Sequence, residues 1–175
     1  MRMYFLLTGK RVTMMKINKL TLLALLTALS AVGGLIKIPA AAGSVALDSL
    51  PALLAAAVLS GGAGAVVGVF GHMISALLAG MPLGPFHLLI AVEMGISVWL
   101  FGWIFQKNLP IVAAGLFFIL NGLIAPIPFY FLIGKGFYLS ILPSLCIAAF
   151  LNLTIAHFAY PPLKKFFRRR AGDVV

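Results

Sequence analysis

Long, continuous apolar runs limit the possible folds of this chain more than any other feature of its sequence. Hydrophobic residues make up 63% of the 175 positions and charged residues only 9%, whereas soluble domains carry about 25% charged residues. Membrane-spanning β-strands would show alternation over roughly 10 residues, but these runs are unbroken and long enough for helices. The sequence therefore predicts an all-α membrane protein, a compact bundle of six transmembrane helices.

Prolines, glycines and polar clusters mark the ends of the predicted helices. The first helix stops at Pro39 and is followed by the linker "AAAGSVALDS"; the fifth is broken by Pro126 and Pro128, and the sixth ends at "PP". The second is short and is followed by the tight turn "SGGAG". The six predicted helices cover residues 20–38, 50–59, 63–79, 86–105, 111–127 and 138–160.

Basic residues are concentrated at the two ends of the chain, which sets the predicted orientation. Six helices place both termini on one side, and basic flanks identify that side as the cytoplasm. Only Lys37 and Lys135 are then left for the outer face. We expect a basic cytoplasmic segment at 1–19, a transmembrane domain at 20–160 and a basic cytoplasmic tail at 161–175. Translation from either Met of the "MM" pair at positions 14 and 15 is an open alternative to Met1.

Several function classes are disfavoured by the composition. The net charge of +10 does not indicate nucleic-acid binding, because the basic residues are not interleaved with aromatic residues on one surface. Cys146 is the only cysteine, which excludes an internal disulfide and a thiolate metal cluster. No HExxH, GxxxxGK[ST] or paired-aspartate pattern occurs. We therefore expect no catalytic residues, no metal and no cofactor.

One acidic residue, Glu93, lies inside the fourth predicted helix, where an ionisable group costs roughly 2.5–3.5 kcal/mol. It follows the start of that helix by seven residues, which is about 10 Å of depth below the outer face at 1.5 Å per residue. Asn121 lies at a similar depth in the fifth helix, and His87 opens the fourth. Asp48 and Lys135 lie on outer connections. These polar groups are predicted to converge on the outer half of the bundle.

Aromatic residues gather in the same zone, at positions 86, 129–131, 137 and 138. A pocket with a few polar groups and an aromatic lining suits a small, partly aromatic, hydroxylated ligand, although an interfacial aromatic belt is also expected here. The candidate substrate-binding residues are Glu93, Asn121, Asp48, His87, Phe86, Tyr130 and Lys135.

Structural roles for these polar groups remain open alternatives. Glu93 either contacts a ligand or pairs with Lys135, His87 or His72 to fix helix packing. Asn121 either contacts a ligand or forms an interhelical hydrogen bond. His72 is expected to be structural, because it lies on a helix with a ridge of small residues.

Small residues mark two helix faces. Gly64, Gly68, Gly71, Ser75 and Ala79 recur at intervals of three and four, and such ridges allow helix backbones to approach closely. The first helix carries a second stripe of small residues, the alanines at positions 24, 28 and 31. That spacing is common in alanine-rich helices and is weak evidence for a partner surface by itself.

Together these features resemble the substrate-binding S component of energy-coupling factor (ECF) vitamin transporters. The resemblance covers nearly all of the chain after Met15. It implies that Ala24 and Ala28, which match the family's Ala-x-x-x-Ala motif, dock onto a transmembrane coupling subunit. It also implies two ATPase subunits as partners, a bacterial plasma-membrane location and release of substrate inward by toppling of the S component in the bilayer.

Within that family, "IKIPAAAGSVALDSLPALLAA", "GHMISALLAGMPLGPFHLLIAVEMG" and "NGLIAPIPF" look like the branch assigned to α-ribazole, a precursor of the lower ligand of cobalamin. Its benzimidazole would stack on aromatic residues and its ribose hydroxyls would bond to Glu93, Asn121 or Asp48. Pantothenate or another vitamin precursor fits the family equally well. A stand-alone ion-coupled carrier, with Glu93 as proton relay, and a lipid-modifying membrane enzyme are the remaining alternatives.

Overall fold

The computed structural model of the protein describes residues 2–39 and 44–172, with side chains at 19–36 and 46–166. The basic side chains before residue 19 and after residue 166, and that of Lys37, lie outside the described residues. The elements are α1 (Arg2–Leu35), β1 (Lys37–Pro39), β2 (Ser44–Ala46), α2 (Leu50–Val58), α3 (Gly61–Leu78), α4 (Phe86–Phe105), α5 (Pro110–Ile119), a π-helical turn (Leu120–Ile124), α6 (Ile127–Leu132) and α7 (Lys135–Gly172).

The all-α fold is confirmed, and α5, the π-turn and α6 together count as one of six helices. Four helical stretches in the described part of the chain have the length and apolar composition to cross a bilayer, and Lys19–Leu35 is a shorter apolar helix. The second predicted helix is too short to cross a bilayer. Its nine residues in α2 extend about 14 Å at 1.5 Å per residue, roughly half of the hydrocarbon thickness of about 30 Å.

A β-hairpin replaces the predicted linker before α2. The first helix ends at Leu35 instead of residue 38, because the backbone turns into β1 at Lys37. The antiparallel strands β1 and β2 pair in the register Lys37 with Ala46 and Pro39 with Ser44. Ser49 and the first-turn residues Pro51, Ala52 and Leu53 are buried, so α2 begins inside the bundle.

The predicted ends of the last two helices are wrong, although the predicted break at Pro126 is present, because Ala125 and Pro126 form a turn between the π-turn and α6. The fifth helix continues beyond residue 127 through the π-turn and α6, and α7 begins at Lys135, so Lys135 opens a helix rather than lying in an outer loop. Helix α7 also passes Pro161 and Pro162. Both prolines are exposed, so the carbonyl groups that lose their helical partners are not sealed inside the bundle.

Four residues of the predicted small-residue ridge, Gly64, Gly68, Gly71 and Ser75, are buried on α3 at the centre of the packing, whereas Ala79 is half-buried beyond the helix end. A Cβ atom on Gly64 would lie 2.8 Å from the Ala52 carbonyl oxygen of α2 and 2.5 Å from the Ala56 Cβ. A Cβ on Gly71 would lie 2.4 Å from the Ser30 Cβ of α1. Helices α1 and α2 therefore touch α3 almost backbone to backbone, as small residues permit in membrane bundles.

Large apolar side chains face outward instead. On α4 the exposed positions Leu88, Val92, Ile96, Trp99 and Trp103 recur every three or four residues, which makes one continuous helical face. A bilayer solvates such a face, whereas in water it would be an aggregation surface.

On α1, Ala24 and Ala28 are exposed as well, and Ala31 of the same predicted stripe is buried at 4% exposure.

Replacing Gly64 by alanine should lower the thermal stability of the purified protein in detergent. The added methyl group would overpack the α2–α3 contact, at a cost of about 1–3 kcal/mol. Gly62→Ala is the matched control, because a Cβ there meets no atom within 4 Å. Equal melting temperatures of Gly64→Ala and Gly62→Ala would contradict the close contact.

Candidate ligand-binding site

A cavity of about 280 Å³ opens at the end of the bundle where α3 ends and α4 begins. Its walls come from the end of α1 and the segment before α2, from α3 and α4 with their connecting loop, and from the π-turn, α6 and α7. The described start of α1 and the described end of α7 lie at the opposite end of the bundle. The cavity therefore lies in the half of the bundle that the sequence predicts to be outermost.

Asp48 is held in the cavity wall by backbone contacts to α1. The Ser30 hydroxyl donates a hydrogen bond to the Asp48 carbonyl oxygen, and the Leu47 amide donates to the Gly33 carbonyl oxygen at 3.1 Å. Ser30 is fully buried, so this bond is shielded from water. The backbone before α2 is thereby fixed, and the Asp48 carboxylate is directed toward α3.

A continuous chain of hydrogen bonds begins at that carboxylate. Asp48 Oδ2 lies 3.0 Å from Nδ1 of His72 on α3, and His72 Nε2 lies 3.2 Å from Nδ1 of His87 on α4. The Leu83 amide, in the loop that joins α3 to α4, donates to His87 Nε2 at 3.4 Å. Both imidazoles use both ring nitrogens in this chain. No set of three or more described His, Cys, Asp or Glu side chains is arranged to hold a metal ion.

Glu93 lines the same cavity without such partners. Its Oε2 atom is buried and has no hydrogen-bond partner in the part of the chain that the structure describes. The predicted alternative of pairing with Lys135, His87 or His72 is not seen, because Lys135 is exposed and both imidazoles bond elsewhere. The carboxylate therefore keeps its acceptor capacity for another molecule.

Asn121 reaches the cavity from the π-helical turn. The Ala125 amide donates to the Leu120 carbonyl oxygen at 2.8 Å, a five-residue step that admits one extra residue into the turn. Such bulges take neighbouring side chains out of the regular helical register and are frequent at functional sites. Buried Gly122 sits beside Cys146 of α7, so the turn is packed in place.

The remaining predicted residues lie outside the cavity lining. Phe129 of α6 and Phe137 of α7 form the aromatic wall. Phe86 stands behind that wall, edge to face with Phe129 at 5.8 Å between ring centres. Tyr130 is 41% exposed, and Lys135 is exposed at the start of α7. The structure thus brings Glu93, Asn121, Asp48 and His87 together and leaves Phe86, Tyr130 and Lys135 apart from them.

Asn152 anchors the hairpin at the floor of this region and was not among the predicted site residues. Its side chain, 1% exposed, donates to the Ala46 carbonyl oxygen at 2.9 Å and to the Ala148 carbonyl oxygen at 2.8 Å. Ala46 and Ala148 both line the cavity. The bond to Ala46 spans 106 residues of sequence, so no local pattern could have indicated it.

The family of ECF transporter substrate-specific components matches residues 18–166 of the chain. The protein is a member of this family. This is a transport family and not an enzyme family, and its members are substrate-binding subunits. No curated protein sequence matches the chain.

A solved structure agrees with the S-component assignment at the level of the fold. The chain is similar to a structure described as "Structure and mechanism of the S component of a bacterial ECF transporter", with a TM-score of 0.72 and 20% sequence identity. The similarity covers 87% of this chain and 98% of the other. This chain and the protein of that solved structure therefore share a helix arrangement, although their sequences differ widely.

Replacing Asn152 by leucine should weaken the docking of the hairpin in this S component. The change roughly conserves volume but leaves the Ala46 carbonyl unpaired, at a cost of about 1–3 kcal/mol. Amide exchange at 44–47 should accelerate and the melting temperature should fall. Thr154→Val is the control, because the Thr154 hydroxyl donates a solvent-exposed hydrogen bond to the Phe150 carbonyl oxygen of its own helix. Unchanged exchange in Asn152→Leu would contradict the anchoring role.

Proposed function

We propose that this S component captures a small vitamin precursor at the outer face of a bacterial plasma membrane, with α-ribazole as the best candidate. The observation that carries the proposal is the buried, unpartnered Oε2 atom of Glu93 in the cavity wall. A buried carboxylate without a partner is costly unless a ligand supplies one. Hydroxyl groups of a bound ligand would satisfy Glu93, and the amide of Asn121 offers further hydrogen bonds.

The charge of the cavity supports a neutral or cationic ligand. Its acidic lining residues are Asp48 and Glu93, and no described lining residue is Lys or Arg. An anion such as pantothenate would face two carboxylates with no fixed positive charge to offset them. α-Ribazole carries no acidic group, which favours it over pantothenate within this family.

The size and lining of the cavity also suit a nucleoside-like molecule. Its volume of about 280 Å³ lies at the lower edge of the range of about 300–1,000 Å³ for small-molecule sites. The aromatic residues Phe129 and Phe137 and the aliphatic residues Leu83, Ile90 and Ile141 form an apolar part. A flat benzimidazole would lie against this part and direct its ribose toward the polar residues.

Energy for inward release would come from partner subunits. We propose that Ala24 and Ala28 of α1 dock onto the transmembrane coupling subunit, which works with two ATPase subunits. Both alanines are exposed on a face that α3 does not cover, which leaves them accessible to another helix. The basic segments 1–19 and 161–175 would then flank the transmembrane domain, 20–160, on the cytoplasmic side.

Glu93→Gln should weaken α-ribazole binding while leaving the fold intact. A hydrogen bond to a charged group contributes about 1.5–3 kcal/mol, so the dissociation constant should rise roughly 10- to 150-fold. Isothermal titration calorimetry on the purified S component in detergent measures this. Val92→Ala, on the exposed face of the same helix, is the control and should bind normally.

Pantothenate belongs in the same titration series as a competing ligand. Weak or absent binding of pantothenate together with tight binding of α-ribazole is the expected result. Unchanged α-ribazole affinity in Glu93→Gln would remove Glu93 from the site. Tight binding of pantothenate would overturn the charge argument.

Bulky substitutions on the exposed face of α1 should separate binding from transport. Ala24→Leu combined with Ala28→Leu should block close helix contact with the coupling subunit, so substrate uptake by cells carrying all subunits should be abolished. Ligand affinity of the isolated S component should not change. Gly115→Leu is the control, because Gly115 is exposed on α5 with no atom near its Cβ position. Normal uptake by the double variant would rule out docking at this face.

A further inference from the structure

The loop between α3 and α4 forms part of the cavity wall and is joined to Asp48 through the two histidines. Pro82 and Leu83 of this loop line the cavity. The amide of Leu83 is the donor to His87 Nε2, and the chain continues through His72 to Asp48. The chain therefore ties the loop to the segment before α2 across the outer end of the bundle.

The direction of every hydrogen bond in the chain follows from the Leu83 amide. Because this amide can only donate, His87 Nε2 must accept, and a neutral His87 carries its proton on Nδ1. His72 Nε2 must then accept from His87, so His72 carries its proton on Nδ1 and donates to the Asp48 carboxylate. Two neutral imidazoles and one ionised Asp48 satisfy all three contacts.

An additional proton on either imidazole breaks the chain. On His72 it would sit on Nε2 and face the Nδ1 proton of His87, and on His87 it would sit on Nε2 and face the Leu83 amide proton. In both cases two N–H groups face each other, and that hydrogen bond cannot form. Imidazole is the side chain that most readily gains a proton near neutral pH, and a proton gained by either ring costs the chain one contact.

We propose that His72 and His87 are positioning residues that form a proton-sensitive latch between the α3–α4 loop and Asp48. With both imidazoles neutral, the latch holds Leu83 against the cavity, and proton uptake releases the loop. This role does not depend on which molecule the cavity binds, so it extends beyond the proposed function and can be tested without a ligand.

Other titratable groups around the latch are few. Asp48 faces His72 from the segment before α2, and Glu93 lines the cavity from α4. The described lining positions of the π-turn, α6 and α7 hold no acidic, basic or histidine residue. The side chains of His72 and Asp48 are only 12% and 13% exposed, so bulk water is a poor substitute for the bonds of the latch.

Hydrogen exchange of the ligand-free full chain in lipid nanodiscs tests the latch directly. The readout is the protection of the 79–85 amides, corrected for intrinsic exchange rates at each pH. Losing one hydrogen bond should lower the protection of the Leu83 amide roughly 2- to 10-fold between pH 8 and pH 5. The connection at 106–109, on the other side of the bundle, should show no such change.

Two variants distinguish the latch from a merely structural role. In the double variant His72→Gln/His87→Gln, each amide group can donate one bond and accept the other without titrating, so protection should be as high at pH 5 as at pH 8. His87→Leu should lose protection at both pH values. The Glu93→Gln variant should keep the pH dependence of the wild-type protein.

Protection of 79–85 that does not change with pH in the wild-type protein would overturn the proposal. An undiminished pH dependence in the double glutamine variant, or its disappearance in Glu93→Gln, would overturn it as well. None of these readings involves ligand binding, so a failure of the latch is distinguishable from a failure of the α-ribazole proposal.

Discussion

Near-backbone contact along the small-residue ridge of α3 is the constraint on which the rest of this structure depends. Gly64 leaves room for Ala52 and Ala56 of α2, and Gly71 leaves room for Ser30 of α1. In a bilayer no hydrophobic force drives helices together, so close van der Waals contact has to hold them. His72 directly follows Gly71, and the same packing therefore carries it to the carboxylate of Asp48.

Two sets of ionisable groups in the cavity wall have different roles. Asp48, His72, His87 and the Leu83 amide bond to one another and fix the geometry of the wall. Glu93 has an oxygen that no described residue satisfies. Since an unsatisfied polar group inside a membrane protein is costly, the first set stabilises the empty fold and the second leaves capacity for a ligand.

The half-length helix α2 explains how a cavity can exist at one end of so small a bundle. The hairpin precedes this short helix, and the backbone at its end is bonded to α1 through Leu47 and to α7 through Asn152. Non-helical backbone at membrane depth is tolerated only where it is buried in protein or lines a cavity. The short helix leaves the space, and the hairpin, α7 and the α3–α4 loop enclose it.

The sequence alone determined the membrane-protein class, the six-helix architecture and the bounds of α4, because long apolar runs have few other ways to satisfy their backbone. It also indicated the depth of Glu93 and Asn121, which follows from the constant rise of a helix. Only the tertiary structure decided the hairpin, the π-turn and the place of His72 in a chain with Asp48 and His87. It also separated Phe129, which lines the cavity, from Tyr130, which does not. Depth follows from counting residues along a helix, whereas the direction of a side chain depends on helix rotation and on contacts between residues far apart in the sequence.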